Sequence, residues 1–338
     1  MARFGWKGNG TAMRLLHRIP SLIGLSLAAL AAFAQPAADI RVDVNLVRVV
    51  ATVKDPSGQL VGSLPKEDFS ILDNNVPQEI SVFERHTEQP LSVALLIDTS
   101  GSTAKDLKYE VDSVGHFLHA LLNEGNPNDS VALFSFNWQV VKHNHFTRNA
   151  SSIEHSLRGL HGEAGTSLYD AIYLTSRELE DREGRRVMVI VTDGGDTTST
   201  MDFHAALEAA QLADTAIYPI LVVPIPTDAG RNVGGENALT TLSLGTGGHV
   251  FLPTLGAELD KAFTQLIEDL RTQYLLAYYP KDVPLTKNRF HRLDVRVRNP
   301  ALRVLARNGY YGEAEGYQSG SPSEKISVVP RKLKKQEH

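Results

Sequence analysis

Short apolar runs that lack polar alternation constrain this chain more than any other feature. Val93-Ala94-Leu95-Leu96-Ile97 and Val187-Met188-Val189-Ile190-Val191 are unbroken, and Val131-Ala132-Leu133-Phe134-Ser135-Phe136 carries a single serine. Ile217-Tyr218-Pro219-Ile220-Leu221-Val222-Val223 is another, with Pro219 marking an irregular or edge position. A strand open to water on one face alternates apolar and polar residues. A strand that does not alternate is covered on both faces, as in parallel sheets held between layers of helix. The segments between the runs supply the helices. Leu107, Val111, Val114, Phe117, Leu118, Leu121 and Leu122 recur at helical spacing. Leu168 to about Glu180, Asp202 to Ala213, Ala238 to Leu244 and the stretch around Leu259, Phe263, Leu266, Ile267 and Leu270 read as further helices, with Asp202 as a cap. Pro224 to Asn237 reads as a Pro/Gly-rich loop, and His249-Val250-Phe251 as a short strand. Repeated strand–helix units of this kind predict an α/β fold, doubly wound and Rossmann-like, in three α/β/α layers.

The flanks follow a different rule. Val42 to Val53, Asp68-Phe69-Ser70-Ile71-Leu72 and Ile80-Ser81-Val82-Phe83 are β-like, and Asp73-Asn74-Asn75 offers the positive φ angles that a hairpin between the last two requires. After the α/β stretch, Tyr274 to Tyr279, Leu293-Asp294-Val295-Arg296-Val297 and Leu302 to Ala306 are β-like again. About 50 residues at either end make a marginal core alone and a workable one together. The expectation is therefore a β segment over 39–88, an α/β domain over 89–271, and a β segment over 272–313 that pairs with the first in a small β-sandwich. Residues 314–338 are Ser/Gly/Lys-rich without a period and read as a disordered tail.

The chain opens with Arg3, Lys7, Arg14 and Arg18, an apolar run from Ser21 to Ala34, and the small-residue ending Ala32-Phe33-Ala34. That is the pattern of a secretory signal peptide over 1–34, cleaved after Ala34, and the run is too short for a membrane span. The mature chain is then secreted or periplasmic, with no transmembrane segment. Removing the four leader cations takes the net charge of −5 to −9, which argues against a nucleic-acid partner. With no cysteine, thiolate catalysis, disulfides and cysteine–zinc sites are all excluded.

Chemistry-bearing residues sit where the apolar runs end. Ile97 is followed by Asp98-Thr99-Ser100-Gly101-Ser102, Gly165-Thr166-Ser167 opens a helix, and Val191 is followed by Thr192-Asp193-Gly194-Gly195. Sites in open α/β sheets form outside the carboxyl ends of strands. Carboxylate and hydroxyl oxygens are the ligands that a hard divalent cation prefers. Taken together and in this order, the three pieces resemble the von Willebrand factor A domain and its metal-ion-dependent adhesion site. The D-x-S-x-S motif falls on Asp98, Ser100 and Ser102, the threonine on Thr166, and the strand-end T-D-G on Asp193. The resemblance covers about Leu91 to Arg271. In the flanks, Asp68-Phe69, Pro77 to Phe83, Tyr279-Pro280 and Gly309-Tyr310-Tyr311 are similar to bacterial exported VWFA-related proteins, with Asn74-Asn75 where that family usually has an Asp-Gly-like turn.

The resemblance implies coordination rather than catalysis. Asp98, Ser100, Ser102, Thr166 and Asp193 would bind Mg²⁺, with Mn²⁺ or Ca²⁺ as alternatives. One position would stay open for an Asp or Glu carboxylate of a protein partner. The alternative is a structural envelope scaffold that binds through its β-sandwich, independent of metal. Enzyme readings have less to stand on. Ser102-Thr103-Ala104-Lys105 reads S-x-x-K, but the partner motifs of penicillin-binding proteins are absent. His116 and His119 near Glu110 lack a clear further ligand, and His143-Asn144-His145 lacks the surroundings of a nuclease motif. Asp106 has Lys105 as its neighbour, where a second calcium site would show a further acid.

Overall fold

The computed structural model describes residues 46–85, 88–101, 107–222, 232–254, 256–284 and 289–312. The leader expected over 1–34, Ser102, the S-x-x-K lysine, Asp106, most of the loop expected over 224–237 and the tail expected over 314–338 lie outside the described residues.

A five-stranded sheet forms the centre. Its strands are β5 (Leu91–Asp98), β6 (Ser130–Phe136), β7 (Val140–Lys142), β8 (Arg185–Thr192) and β9 (Thr215–Leu221), in the order β7-β6-β5-β8-β9. All neighbours are parallel except β6 and β7, which form an antiparallel pair. The helices are α1 (Leu107–Asn123), α2 (Ala150–Arg158), α3 (Leu168–Glu180), α4 (Phe203–Leu212), α5 (Val233–Thr246) and α6 (Ala257–Thr272). The unalternating strands explain the two layers. In β5, Val93, Leu95 and Ile97 join a core with Val114, Phe117, Ile153, Phe263 and Leu266, from α1, α2 and α6. Ala94 and Leu96 join the opposite core with Ile172, Ala206, Ala210, Leu239 and Leu242, from α3, α4 and α5. Successive side chains point to opposite faces of a strand, so an all-apolar strand feeds both cores at once. Pro219 sits on the outer strand β9, where a missing N–H breaks no ladder bond to β8. Phe251 lies beyond that edge and bridges to Ile220.

The remaining strands make two four-stranded antiparallel sheets. They are β1 (Val47–Lys54), β2 (Phe69–Asp73, preceded by a 3-10 turn over Lys66–Asp68), β3 (Val76–Gln78), β4 (Val82–Arg85), β10 (Tyr274–Tyr278), β11 (Phe290–Val297), β12 (Arg303–Ala306) and β13 (Gly309–Tyr311). Their orders are β12-β1-β10-β4 and β13-β11-β2-β3, so each sheet mixes strands from before and after the α/β stretch. Val49, Ala51, Tyr274 and Leu276 of one sheet share a core with Phe69, Ile71, Leu293 and Tyr310 of the other. A buried polar knot lies in that core. Asp73 accepts hydrogen bonds from the Tyr278 and Tyr310 hydroxyls, each at 2.8 Å, and faces His291 Nδ1 at 3.1 Å.

Two expectations need correction, and two elements go beyond what the sequence pattern predicts. The hairpin partner of Phe69–Asp73 is β3, not the Ile80–Phe83 stretch, and β4 crosses to the other sheet to pair with β10. The turn itself is as expected: Asn74 and Asn75 have φ of 47° and 65°, the pair of positive values that a two-residue hairpin loop needs. Helix α2 has no counterpart in the sequence reading. Asn149 caps it by accepting from Ser152 N at 3.0 Å, and only Ile153 and Leu157 are buried, too few to make a long period. Strand β13 was not foreseen as a strand. Helix α5 begins at Val233, inside the stretch read as loop, for a reason that belongs to the site.

Candidate metal centre

Strands β5 and β8 are adjacent and parallel, with Ile97 opposite Val191, so their carboxyl ends are level. Asp98 and Thr192 therefore emerge side by side. Asp98 is fully buried, and both carboxylate oxygens are engaged: Oδ1 accepts from Ser100 N at 2.8 Å and Oδ2 from the Thr192 hydroxyl at 2.6 Å. Burial nevertheless pushes the Asp98 carboxyl up to about 6, outweighing those hydrogen bonds, and the charge of Asp193 adds to the rise. Thr192 Oγ1 also accepts from Gly194 N at 3.0 Å, which fixes the start of the Asp193 loop.

Backbone bonds stitch the Thr166 loop to both neighbours. Glu163 N donates to Thr99 O at 2.9 Å, and Thr99 N donates to Phe136 O at 2.8 Å. Thr166 N donates to Thr197 Oγ1 at 2.9 Å, while Thr166 O accepts from Thr197 N and Thr198 N. Thr166 is thereby held between the strand-end loops of β5 and β8 and is buried along with Ser100, while Asp193 is half-buried. Gly165 has φ +87°, and a Cβ there would lie 3.0 Å from Trp138 Cβ, so only glycine fits without strain. Of the five residues expected at the site, four lie in these adjoining loops, and Ser102 lies outside the described residues.

The tertiary structure adds residues that the motif reading passed over. Thr192 is the donor that holds Asp98. Helix α5 abuts the Asp193 loop through its first turn: a Cβ on Gly235 would lie 1.3 Å from Gly194 O, and one on Gly195 would lie 2.2 Å from Asn232 Nδ2. The glycines that made this stretch read as a loop are there for close approach, and Asn232 caps the helix by accepting from Gly235 N at 2.9 Å. The Asn-x-x-Gly cap was the available signal. Trp138, 52% exposed, stands beside Gly165 at the rim, with its indole N–H donating to Glu163 Oε2 at 2.8 Å.

Asp196 holds the outer loop by accepting from Ser199 Oγ and Tyr169 N, and Asp170 accepts from Thr200 N and Met201 N. His116 and His119 face different partners, Asp260 on α6 and Glu154 on α2. His143 Nε2 lies 2.8 Å from Ser135 Oγ. The groups acting on the Asp98 carboxyl are the Thr192 and Ser100 hydroxyls and the Asp193 carboxylate, oxygen donors of the kind that a hard divalent cation prefers.

Residues 93–195 match the family model described as von Willebrand factor type A domain. Uncharacterized proteins of Mycobacterium tuberculosis and Mycobacterium bovis are 30% identical over 130 residues, which is 37% of this chain and 18% of theirs. The chain thus spans under a fifth of the length of these curated relatives. Among solved structures, the von Willebrand factor domain of the type V pilus tip protein Mfa5 from Porphyromonas gingivalis is 16% identical at a TM-score of 0.46, covering 54% of this chain and 95% of that one. The pilus adhesin SpaC from Lactobacillus rhamnosus GG, in its open conformation, is 10% identical at a TM-score of 0.44, covering 72% and 47%.

Proposed function

Because this chain carries a von Willebrand factor type A domain, we propose that it is an exported, non-enzymatic protein-binding module that captures a partner's carboxylate through a divalent cation. Asp98, Ser100, Thr166 and Asp193, joined by Ser102, would hold the ion. Mg²⁺ is the first choice, with Mn²⁺ and Ca²⁺ as alternatives. The ion would supply electrostatic attraction for an Asp or Glu side chain of the partner. The chain's own part is preorganisation. Thr192 and Ser100 N orient the Asp98 carboxylate, and the Thr197–Thr166 bonds fix the hydroxyl loop. Trp138 at the rim gives a partner an apolar contact beside its acid, in keeping with the enrichment of tryptophan at interface centres.

The observation that carries this reading is the fully buried Asp98 at the carboxyl end of β5, level with the β8 end that leads into Asp193. A Mg²⁺ titration of thermal stability tests it. Millimolar Mg²⁺ is expected to raise the melting midpoint of the parent by roughly 3–8 °C over EDTA, the size that ligand linkage gives for a domain of this length. Asp98→Asn and Thr166→Val should lose the increment while still folding. Identical melting of the parent in Mg²⁺, Mn²⁺, Ca²⁺ and EDTA would refute the site.

A further inference from the structure

Positive charge collects in a recess far from the Asp98 loops, at the amino ends of β8 and β9, where the α/β layer meets the sheet containing β1 and β10. Arg48, Arg185, Arg186 and Arg307 line it, together with Gln273 and a single acid, Asp214. They come from separate segments: β1, the start of β8, the turn after β12, and the turn between α4 and β9.

Hydrogen-bond accounting leaves this charge only partly answered. Arg185 Nη2 donates to Gln273 Oε1, a neutral acceptor. Arg186 donates to two backbone carbonyls, Arg182 O at 2.7 Å and Ala213 O at 2.8 Å. Arg307 Nη1 reaches Asp214 at 2.9 Å and its Nη2 donates to Arg48 O, while Arg48 lies 3.8 Å from the same Asp214. Asp214 is the one acid lining the recess, and it pairs with Arg48 and Arg307, while Arg185 and Arg186 feel acids set outside it, Asp129 for the first and Glu180 and Asp181 for the second. Among the described residues, the Arg307 Nε is buried with no hydrogen-bond partner at all. A buried N–H on a charged group, left without an acceptor, is costly, and native structures rarely keep one without a reason. Burial also pulls Arg185 down to about 10 and lowers Arg186, because both guanidinium groups are withdrawn from water.

We propose that this recess binds one small oxyanion, of phosphate or carboxylate type, which ties the α/β layer to the adjoining antiparallel sheet. The cavity is about 40 Å³, room for roughly three water-sized spheres, which admits an ion of a few heavy atoms and excludes a nucleotide. Guanidinium forks match the oxygens of phosphate and carboxylate in pairs, and arginine is the side chain suited to such an ion in a partly buried place.

The test uses the full chain and inorganic phosphate, with acetate as a second arm and NaCl holding ionic strength constant. Phosphate-dependent melting and phosphorus NMR line broadening are followed in the parent and in three variants. Saturable binding in the low millimolar range is expected for the parent in at least one arm, and the stronger arm identifies the source. Arg307→Gln and Arg48→Gln should each weaken it at least tenfold. Arg48 is 38% exposed at its side chain, so that variant keeps a readout if Arg307→Gln fails to fold. Asp214→Asn, which removes the competing carboxylate, should tighten it. A response that never saturates in either arm, or that is the same in the parent, Arg48→Gln and Asp214→Asn, is a bulk salt effect and overturns the proposal.

Discussion

Single buried groups in this protein carry charge or hydroxyls that must stay in one protonation state. Tyr218 is the clearest case. It lies on β9, buried, and its hydroxyl accepts from Gln273 Nε2 at 2.8 Å. Burial pushes its hydroxyl up to about 12. The folded value is thus above the unfolded value of about 10, so the neutral tyrosine contributes stability that is fully present below pH 10. That contribution is lost as pH rises from 10 towards 12. Between pH 9 and 11 the parent should lose about 1 kcal/mol more than Tyr218→Phe, by linkage. Urea unfolding at the two pH values measures it, and equal losses would show that the hydroxyl ionises freely in the fold. Tyr278 and Tyr310 are raised in the same direction, chiefly by burial and with Asp73 adding to it, and they remain in both proteins compared.

At the scale of elements, the placement of α5 depends on the absence of one methyl group. Gly234 and Gly235 both lie in its first turn, yet their surroundings differ. A Cβ on Gly234 meets only Asn232 Oδ1, at 3.6 Å, whereas one on Gly235 would overlap Gly194 O at 1.3 Å. Gly234→Ala should therefore be neutral or stabilising by up to about 1 kcal/mol, through helix propensity alone. Gly235→Ala should cost about 2 kcal/mol or more, because backbone must move. It should also weaken the Mg²⁺ increment, since the displaced element supports the Asp193 loop. Chemical denaturation of the two variants decides the point, and equal effects would mean that α5 does not press on that loop. Helix α6 illustrates the reverse situation, a helix positioned by contacts at its far end: Asp269, buried, takes Lys54 of β1 at 3.0 Å and His249 at 3.0 Å.

At the scale of the molecule, the α/β stretch is inserted between strands that belong together: β1 pairs with β10, the strand directly after α6. The seam is polar. Gln273, between α6 and β10, accepts from Arg185 and donates to Thr52 Oγ1 at 3.0 Å and Tyr218 OH at 2.8 Å, so one buried amide joins β8, β9 and β1. Gln273→Ala leaves a buried guanidinium and two hydroxyls short of partners, and should cost about 2–4 kcal/mol. Because the seam is shared, the loss should appear as one lowered transition, seen alike by Trp138 fluorescence and by near-ultraviolet circular dichroism of the tyrosines. Two separated transitions in the parent would show that the layers fold independently.

What was legible in the sequence was whatever depends on local pattern. Unalternating runs require two covered faces, so Val93–Ile97 and Val187–Val191 declared a parallel sheet between helices, and Asp98 and Asp193, just after such runs, fall at the carboxyl ends of its strands. Asn74-Asn75 declared its own turn, because few other side chains tolerate two positive φ angles in succession. The rest required distances between remote segments. Nothing local says that Ile80–Phe83 leaves its hairpin for the opposite sheet, that Thr192 donates to Asp98, or that the glycines before Ala238 belong to a helix pressed against Gly194. Nor can a local pattern place Arg48 and Arg307, 259 residues apart, around one recess. Backbone preference and hydrophobic period are properties of neighbours along the chain, whereas buried charge and close approach are settled only when the whole chain has chosen what to pack against what.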